Sequence, residues 1–287
     1  MYKWKEYYKK SKDVFGDSST SVYDLTIQTN IDTKLNFDSD YYKLIDNIRD
    51  KLDNQFNINE SISHSGNALF IDDCFIFEDE FSIIVENYLR DYLEKNIFGS
   101  YIHCDHVTLY KTPQSNSAPV NSWLWHFDNS PLEQMKVMIY LNDVNDKNGA
   151  FEILRNENSK DGLKVHSSRI DNTNWRGKKE WSFKYKNIEW KSTRIPRELF
   201  PHISADGYIP YKVVGNKGHV SIFDNNIIHR GSLPSEGFRY AVVFQFKPID
   251  KKLKKIFGKS ITGNGAKHPT FDKDPTFMWD STKPDLL

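Results

Sequence analysis

The sequence predicts a mostly β fold with flanking helices, its strands antiparallel in a sandwich or barrel. Three observations carry this. Apolar residues in the first hundred positions recur at helical spacing; from residue 101 the period falls to two; and turn residues break the later chain into many short strand-like runs. The 287 residues would fill one large domain or two small ones. We read one, with a helical layer at 1–100, a β core at 101–248 interrupted by an insertion at 155–212, and a tail at 249–287.

Composition narrows the classes. Aromatic residues make up 14% of the chain, which suits a filled core or an aromatic-lined pocket and not disorder. Lys+Arg and Asp+Glu both count 39, so net charge predicts affinity for neither nucleic acid nor membrane. No apolar run approaches the roughly 20 residues of a membrane helix. The opening MYKWKEYYKKSKD is basic without the apolar stretch of a secretory signal. Cys74 and Cys104 then read as reduced thiols of a cytoplasmic protein. The expected partner is a small molecule, and the sequence carries no signal for an oligomeric state.

Residues 1–37 show no assignable pattern. Asp38, Ser39 and Asp40 offer capping oxygens to a helix whose apolar face is Tyr41, Leu44, Ile45, Ile48 and Leu52. A loop at 61–67 leads into ALFIDDCFIF, read as a short strand pair. The next run, EDEFSIIVENYLRDYLEKNIFG, is the clearest helix. Phe81, Ile84, Val85, Tyr88, Leu89 and Tyr92 line one side, acids stand at its start, and Gly99 closes it. Both helices are expected to support a sheet.

Strands follow at YIHCDHVTLYK and, after a Pro/Ser/Asn loop, at SWLWHFD. MKVMIYLNDV places Met135, Val137, Ile139 and Leu141 on one face and Lys136, Met138 and Tyr140 on the other. Asn148-Gly149 signals a turn before AFEIL. HVSIFD and FRYAVVFQF are the last strands, and IDKKLKKIF reads as a short basic helix at the head of the tail. Residues 155–212 are too long for an ordinary connection. From Arg155 to Phe200 there are 12 Lys/Arg against 6 Asp/Glu, interleaved with Trp175, Trp181 and Trp190. Two readings stay open: a solvated insertion anchored by its tryptophans, or a lid whose cations attract an anionic substrate.

Candidate chemistry starts at Trp125-His126-Phe127-Asp128. On a strand, His126 and Asp128 share a face and can share one ion, while Trp125 and Phe127 point away. With the distal His229, two histidines and one carboxylate match the facial triad of non-haem Fe(II) oxygenases. Pro234 lies midway between His229 and Arg239. If their strands pair across that loop, the two become cross-strand neighbours with Cα atoms about 5 Å apart. Arg239 shares its face with Ala241, Val243 and Gln245, an inward face where a guanidinium needs an anion. A small dicarboxylate would serve, as would a carboxylate of the protein itself.

Trp-His-x-Asp, a distal His and an Arg ten residues later resemble the Fe(II)- and 2-oxoglutarate-dependent oxygenases, and more narrowly the phytanoyl-CoA dioxygenase-like group. The likeness spans roughly Val107 to Pro248. It is supported by Lys111-Thr112-Pro113, by LNDVNDKNGAFEIL and by GHVSIFDNNIIHRGS. It implies a double-stranded β-helix core, a jelly roll of the cupin kind. It also implies that His126, Asp128 and His229 bind Fe(II), and that Arg239 grips the distal carboxylate of 2-oxoglutarate, with Lys111 and Ser232 helping to hold it. The implied reaction consumes O2 and 2-oxoglutarate, releases succinate and CO2, and hydroxylates a small or medium, anionic metabolite. Asp128 argues against halogenation, since halogenases of this family lack that carboxylate. The chain departs from the family after the Asn-Gly turn, where Leu154-Arg155-Asn156-Glu157 replaces the usual Pro-Gly-Ser-His. Arg230 also displaces Ser232 by one residue.

Other readings were a nucleic-acid-modifying oxygenase of the same superfamily, a metal hydrolase on the same triad, and a cupin-like binding protein. The hydrolase leaves Arg239 without a role. His103-Cys104-Asp105-His106 contains a second His-x-Asp but is too compact for a zinc site and reads as a strand with a polar side. His64, His166, His202, His219 and His268 read as surface or loop histidines.

Overall fold

The computed structural model describes residues 14–16, 25–28, 35, 37–58, 62–65, 68–71, 73–116, 118–128, 130, 134–165 and 183–262. In chain order they form β1 (Ile27–Gln28), α1 (Ser39–Ile58), β2 (Ile62–Ser65), β3 (Ala68–Ile71), a long helix α2, β4 (Tyr101–Pro113), β5 (Met135–Tyr140) and β6 (Phe151–Asn156). Then follow β7 (Phe183–Tyr185), β8 (Ile188–Trp190), α3 (Phe200–Ala205), β9 (Tyr208–Val213), β10 (Val220–Asp224), β11 (His229–Gly231) and β12 (Phe238–Ile249). A seven-stranded sheet runs β1-β10-β5-β12-β4-β3-β2 and a three-stranded sheet runs β11-β6-β9. Every pairing is antiparallel. This is the double-stranded β-helix expected.

Alternation along β12 sorts the interior into two layers. Tyr240, Val242, Phe244 and Phe246 pack with Met135, Val137, Ile139 and Leu141 against the helices. Ala241 and Val243 pack with Met138, Tyr140, Phe151, Ile153 and Phe223 between the sheets. On α1 the buried residues are Tyr41, Ile45, Ile48 and Leu52, as the periodicity predicts. Asp38 caps α1, its Oδ1 accepting from the backbone of Asp40 at 3.1 Å and Tyr41 at 3.0 Å.

Helix α2 alternates geometry: Glu78–Ile83 is α, Ile84–Leu89 π, Arg90–Tyr92 α and Leu93–Phe98 π. Phe81, Val85, Leu89, Leu93 and Ile97 are all fully buried and recur every four residues. Four-residue steps drift by about 40° on a 3.6-residue helix, and wider i→i+5 turns absorb the drift. Gly99 ends α2 at φ 56°, the left-handed conformation that favours glycine.

Four local expectations are corrected. Residues 62–65 are not loop but pair with β3, and Cys74–Phe77 is a 3-10 turn and not the second strand. Asp73 caps that turn by accepting from Phe75 N at 3.0 Å. IDKKLKKIF forms no helix. Ile256 and Phe257 are instead drawn into the core, where Glu86 Oε1 accepts from both their backbone amides. SWLWHFD is a 3-10 turn at Asn121–Trp123 followed by extended chain with bridges at His126. The insertion boundaries also move, because Arg155 and Asn156 belong to β6, and β9 pairs with β6 from Tyr208.

The described part of the insertion backs the smaller sheet. Phe183, Trp190, Ile195, Leu199, Phe200 and Ile203 cluster with Trp125 and Phe127. Trp190 is therefore the anchor of the first reading, and Trp125 and Phe127 do face away from the site. Thr193 and Ile195 bond the backbones of Phe127 and Trp125, which adds an edge to the smaller sheet. Trp175 and Trp181 lie outside the described residues.

Candidate metal centre

His126 and His229 are held as a backbone pair: His126 N donates to His229 O at 2.9 Å, and His229 N to His126 O at 2.8 Å. Asp128 is fixed in turn by its amide, which donates to Asn225 O at 2.9 Å. Extended chain between 125 and 128 keeps the expected alternation without a regular strand. The ligand atoms of His126, Asp128 and His229 all lie within 4.8 Å of one another, the one such group among the described residues. His126 Nε2 stands 3.7 Å from Asp128 Oδ1, and His229 Nε2 3.9 Å from Asp128 Oδ2.

The tautomers follow from the partners. Each Nδ1 is 2.8 Å from a backbone carbonyl, of Leu124 for His126 and of Ile227 for His229. A carbonyl only accepts, so both Nδ1 atoms carry the proton and both Nε2 lone pairs point at the shared centre. Burial pushes both imidazoles below their ordinary pKa; for His126 the neighbouring His229 adds to it. Burial alone would raise the Asp128 carboxyl, but Lys136 and the two histidines outweigh it and hold the group well below the carboxylate range. Lys136 ion-pairs directly with Asp128. Neutral imidazoles and an ionised carboxylate are the states a divalent cation needs. Two nitrogens and one oxygen with open positions fit Fe(II).

Arg239 is 2% exposed. Its Nη1 donates to Gly149 O, its Nη2 lies 3.4 Å from Thr112 Oγ1, and the guanidinium sits 5.5 Å from the centre of the Tyr110 ring. Its Nε has no partner. Among the described residues no carboxylate pairs with Arg239, although other buried cations have one, as Lys164 has Asp224 at 2.5 Å. Among the described residues the protein-carboxylate alternative therefore has no candidate, and the donor geometry fits an external carboxylate.

The expected His229–Arg239 hairpin is wrong. His229 pairs with Ile153 in the smaller sheet, and Arg239 with Thr112 in the larger one. The loop through Pro234 crosses between sheets, so both side chains reach the interior from opposite walls. Lys111 is also misplaced: it pairs in register with Tyr240 on the helix side, its Nζ 4.7 to 5.4 Å from the ring centres of Phe56, Phe238 and Tyr240. Ser232 Oγ donates to Ala150 O at 2.5 Å, pinning the loop beside Gly149. Arg230 points outward, pairing with Glu152 at 2.7 Å and stacking on Trp125 at 4.4 Å. His219, read as a surface histidine, is buried, 3.2 Å from Ser221 Oγ and stacked on Tyr140.

The sequence reading missed Lys136, Asn225, Gln245 and Arg194. Arg194 pairs in register with His126 and so shares its face. Burial lowers the Arg194 guanidinium to about 10, partly offset by Asp128. Lys136 and Gln245 had a signal, since both occupy the inward parity of their strands. Nothing local marks Asn225 or Arg194.

The chain is similar in fold to EctD from S. alaskensis with bound Fe (TM-score 0.54, 12% identity, 88% of this chain and 83% of that one). EctD with 2-oxoglutarate and 5-hydroxyectoine gives a TM-score of 0.52 at 12% identity over 86% and 83% of the two chains. AviO1 from Streptomyces viridochromogenes Tue57 is similar at a TM-score of 0.51 and 12% identity, over 83% of this chain and 97% of that one. The non-heme alpha ketoglutarate dependent carbocyclase SnoK from nogalamycin biosynthesis has a TM-score of 0.50 at 10% identity, over 81% and 87%. At such identities the likeness establishes the fold. No family model and no curated protein matches the chain. No described helix is long and apolar enough to cross a membrane.

Proposed function

We propose that the chain is an Fe(II)- and 2-oxoglutarate-dependent dioxygenase that hydroxylates a small or medium metabolite, releasing succinate and CO2. One observation carries this reading. A two-histidine, one-carboxylate centre and a buried arginine with no carboxylate partner among the described residues share one interior between two sheets. EctD, similar in fold, has been solved with Fe and with 2-oxoglutarate.

When bound, iron with 2-oxoglutarate and O2 would supply the oxidising power that amino-acid side chains lack. The protein does the rest. His126 and His229 offer Nε2 lone pairs held in place by the Leu124 and Ile227 carbonyls. Lys136 keeps Asp128 ionised. Arg239, with its unpartnered Nε and its guanidinium fork, would hold the distal carboxylate of the co-substrate. Phe151 and Phe223 pack beside His229, with ring centres 5.4 and 5.8 Å away, and help keep water from that wall.

Under anaerobic conditions, iron-loaded protein given 2-oxoglutarate should develop a weak visible charge-transfer band, absent in His229→Ala. Wild-type protein with confirmed iron and no band would refute the co-substrate assignment. The likeness to a carbocyclase supports oxidative ring closure as a second reading. Product mass separates the two, as gain of one oxygen or loss of two hydrogens.

A further inference from the structure

Among the described residues, five of the seven buried side-chain atoms without a hydrogen-bond partner fall at the two ends of the interior, and the two groups differ in chemical kind. Side chains on the inward parity of β12 form rows with their neighbours on β4 and β5. Arg239 stands opposite Thr112; Gln245 stands between His106 and Lys136; and Lys247 stands opposite His103. Successive rows are about 7 Å apart, because side chains on one face are two residues apart. Arg239 and Gln245 therefore lie roughly 20 Å apart along the strand. At the Arg239 end the orphans are donors: Arg239 Nε, and Trp123 Nε1 near Gly231. At the other end they are Asp105 Oδ1 and Asn225 Oδ1, both acceptors, together with His103 Nδ1.

That second end is a built site. A bulge between Gln245 and Phe246 sets Asp105 into the inward row. There Asp105 accepts from Gln134 Nε2 at 3.0 Å and pairs with Lys247 Nζ at 3.2 Å. Asn225 is fully buried; its Nδ2 donates to Gln245 Oε1 at 3.3 Å and its carbonyl holds the Asp128 amide. Lys136, in the Gln245 row, pairs with Asp128. The Gln245 row, joined to Asp128 through Lys136 and Asn225, is thus followed about 7 Å further along β12 by the Lys247 row, where Asp105 and His103 stand.

An orphaned buried acceptor costs free energy comparable to a lost hydrogen bond unless a ligand brings a donor. An anion brings acceptors. A cationic amine brings donors but meets the Arg194 guanidinium, which stands beside His126 on the facing, smaller sheet. What remains is a neutral molecule with several hydroxyl hydrogens. We propose that Asp105 and Asn225, with His103, form the substrate subsite beside the metal centre, and that the substrate is a neutral polyhydroxylated compound, a polyol or sugar, bound through its hydroxyl groups. This deepens the oxygenase reading and rests on it for the word substrate. It replaces the anionic metabolite that the insertion's cations suggested.

The test uses metal-free full-length protein in EDTA, so that it does not depend on iron or 2-oxoglutarate. Saturation-transfer NMR and thermal melts would compare methyl α-D-glucopyranoside and myo-inositol with glutarate and putrescine. The expected result is saturable binding of at least one neutral probe, weakened tenfold or more by Asp105→Ala and by Asn225→Ala and unchanged in Arg239→Met. Melts of both variants identify one that fails to fold, and the other then decides. Binding of glutarate or putrescine that depends on Asp105, binding of the neutral probes that neither variant weakens, or no binding of either neutral probe would overturn the proposal. A missing charge-transfer band beside intact binding of the neutral probes would sink the co-substrate assignment and leave this subsite standing.

Discussion

Replacing Arg239 by Met separates a ligand-binding arginine from a structural one, because the two roles predict opposite readouts. The side chain is 2% exposed and hydrogen-bonds to Gly149 O and Thr112 Oγ1, with the Tyr140 hydroxyl also beside it. Its loss leaves the Gly149 carbonyl unsatisfied, at a cost of about 1–3 kcal/mol. It also removes a buried cation that has no counter-ion among the described residues, relieving a desolvation penalty of roughly several kcal/mol. The two nearly cancel, so ligand-free stability should change by no more than about 2 kcal/mol. Affinity for 2-oxoglutarate has no such compensation. Truncating one side of a buried, charged hydrogen-bonded pair costs roughly 2–5 kcal/mol, which is about 30-fold to 5,000-fold in Kd. Calorimetric titration of 2-oxoglutarate into protein loaded with Mn(II) gives the affinity without turnover, and denaturant melts give the stability. A stability loss above about 4 kcal/mol with affinity within threefold of wild type would show that Arg239 is structural, and the reasoning would fail.

Gly149→Ala should act on the same end of the site: at φ 93° the new Cβ would meet Pro234 Cγ at 2.8 Å and Ser232 O at 3.1 Å, so stability should fall by about 1–3 kcal/mol and 2-oxoglutarate affinity with it. Trp190→Ala empties part of the cluster behind Trp125 and Phe127; a loss of about 3–5 kcal/mol in melts is expected, with weaker metal binding by titration as the chain at 125–128 loosens. Asp224 sets a pH window: burial, outweighing Lys164, raises its carboxyl from 3.8 to about 6, so the folded state binds the proton more tightly than the unfolded one. The stability this contributes is present at pH 4 and lost as pH rises through 6. The stability of wild type relative to Asp224→Asn should therefore decline from pH 4 to pH 7, and a difference that grows over that range would contradict the assignment.

Much of the site was legible because its signal is local. His126 and Asp128 are one residue apart, and any extended backbone puts them on one side, so the reading survived the absence of a regular strand there. The inward parity of Arg239, Ala241, Val243 and Gln245 was legible for the same reason. Lys111 failed by that very rule: it was carried over from a resemblance, while its neighbour Thr112 holds the position facing Arg239. The expected nearness of His229 and Arg239 failed because ten residues with a central proline suit a hairpin and a crossover between sheets equally well. Asp105 was set aside as part of a polar strand, and only the bulge in β4 turns it inward.

By itself the sequence determined the periods of its helices and strands, the shared face of the metal-ligating pair and the chemical need of a buried arginine for an anion. These depend on backbone geometry within a few residues. Tertiary structure alone decided which sheet each strand joins and that Lys136 reaches Asp128. It also set Arg194 beside His126, and it left unpartnered donors at the Arg239 end of the interior and unpartnered acceptors at the Asp105 end. Those relations are hydrogen-bonded registers between segments far apart in the chain, such as His106 with Gln245 and Ile27 with Phe223. Alternation along one strand carries no information about its partner. The His-x-Asp step thus supplies two of the three candidate metal ligands, and the packing of two sheets brings His229 to them.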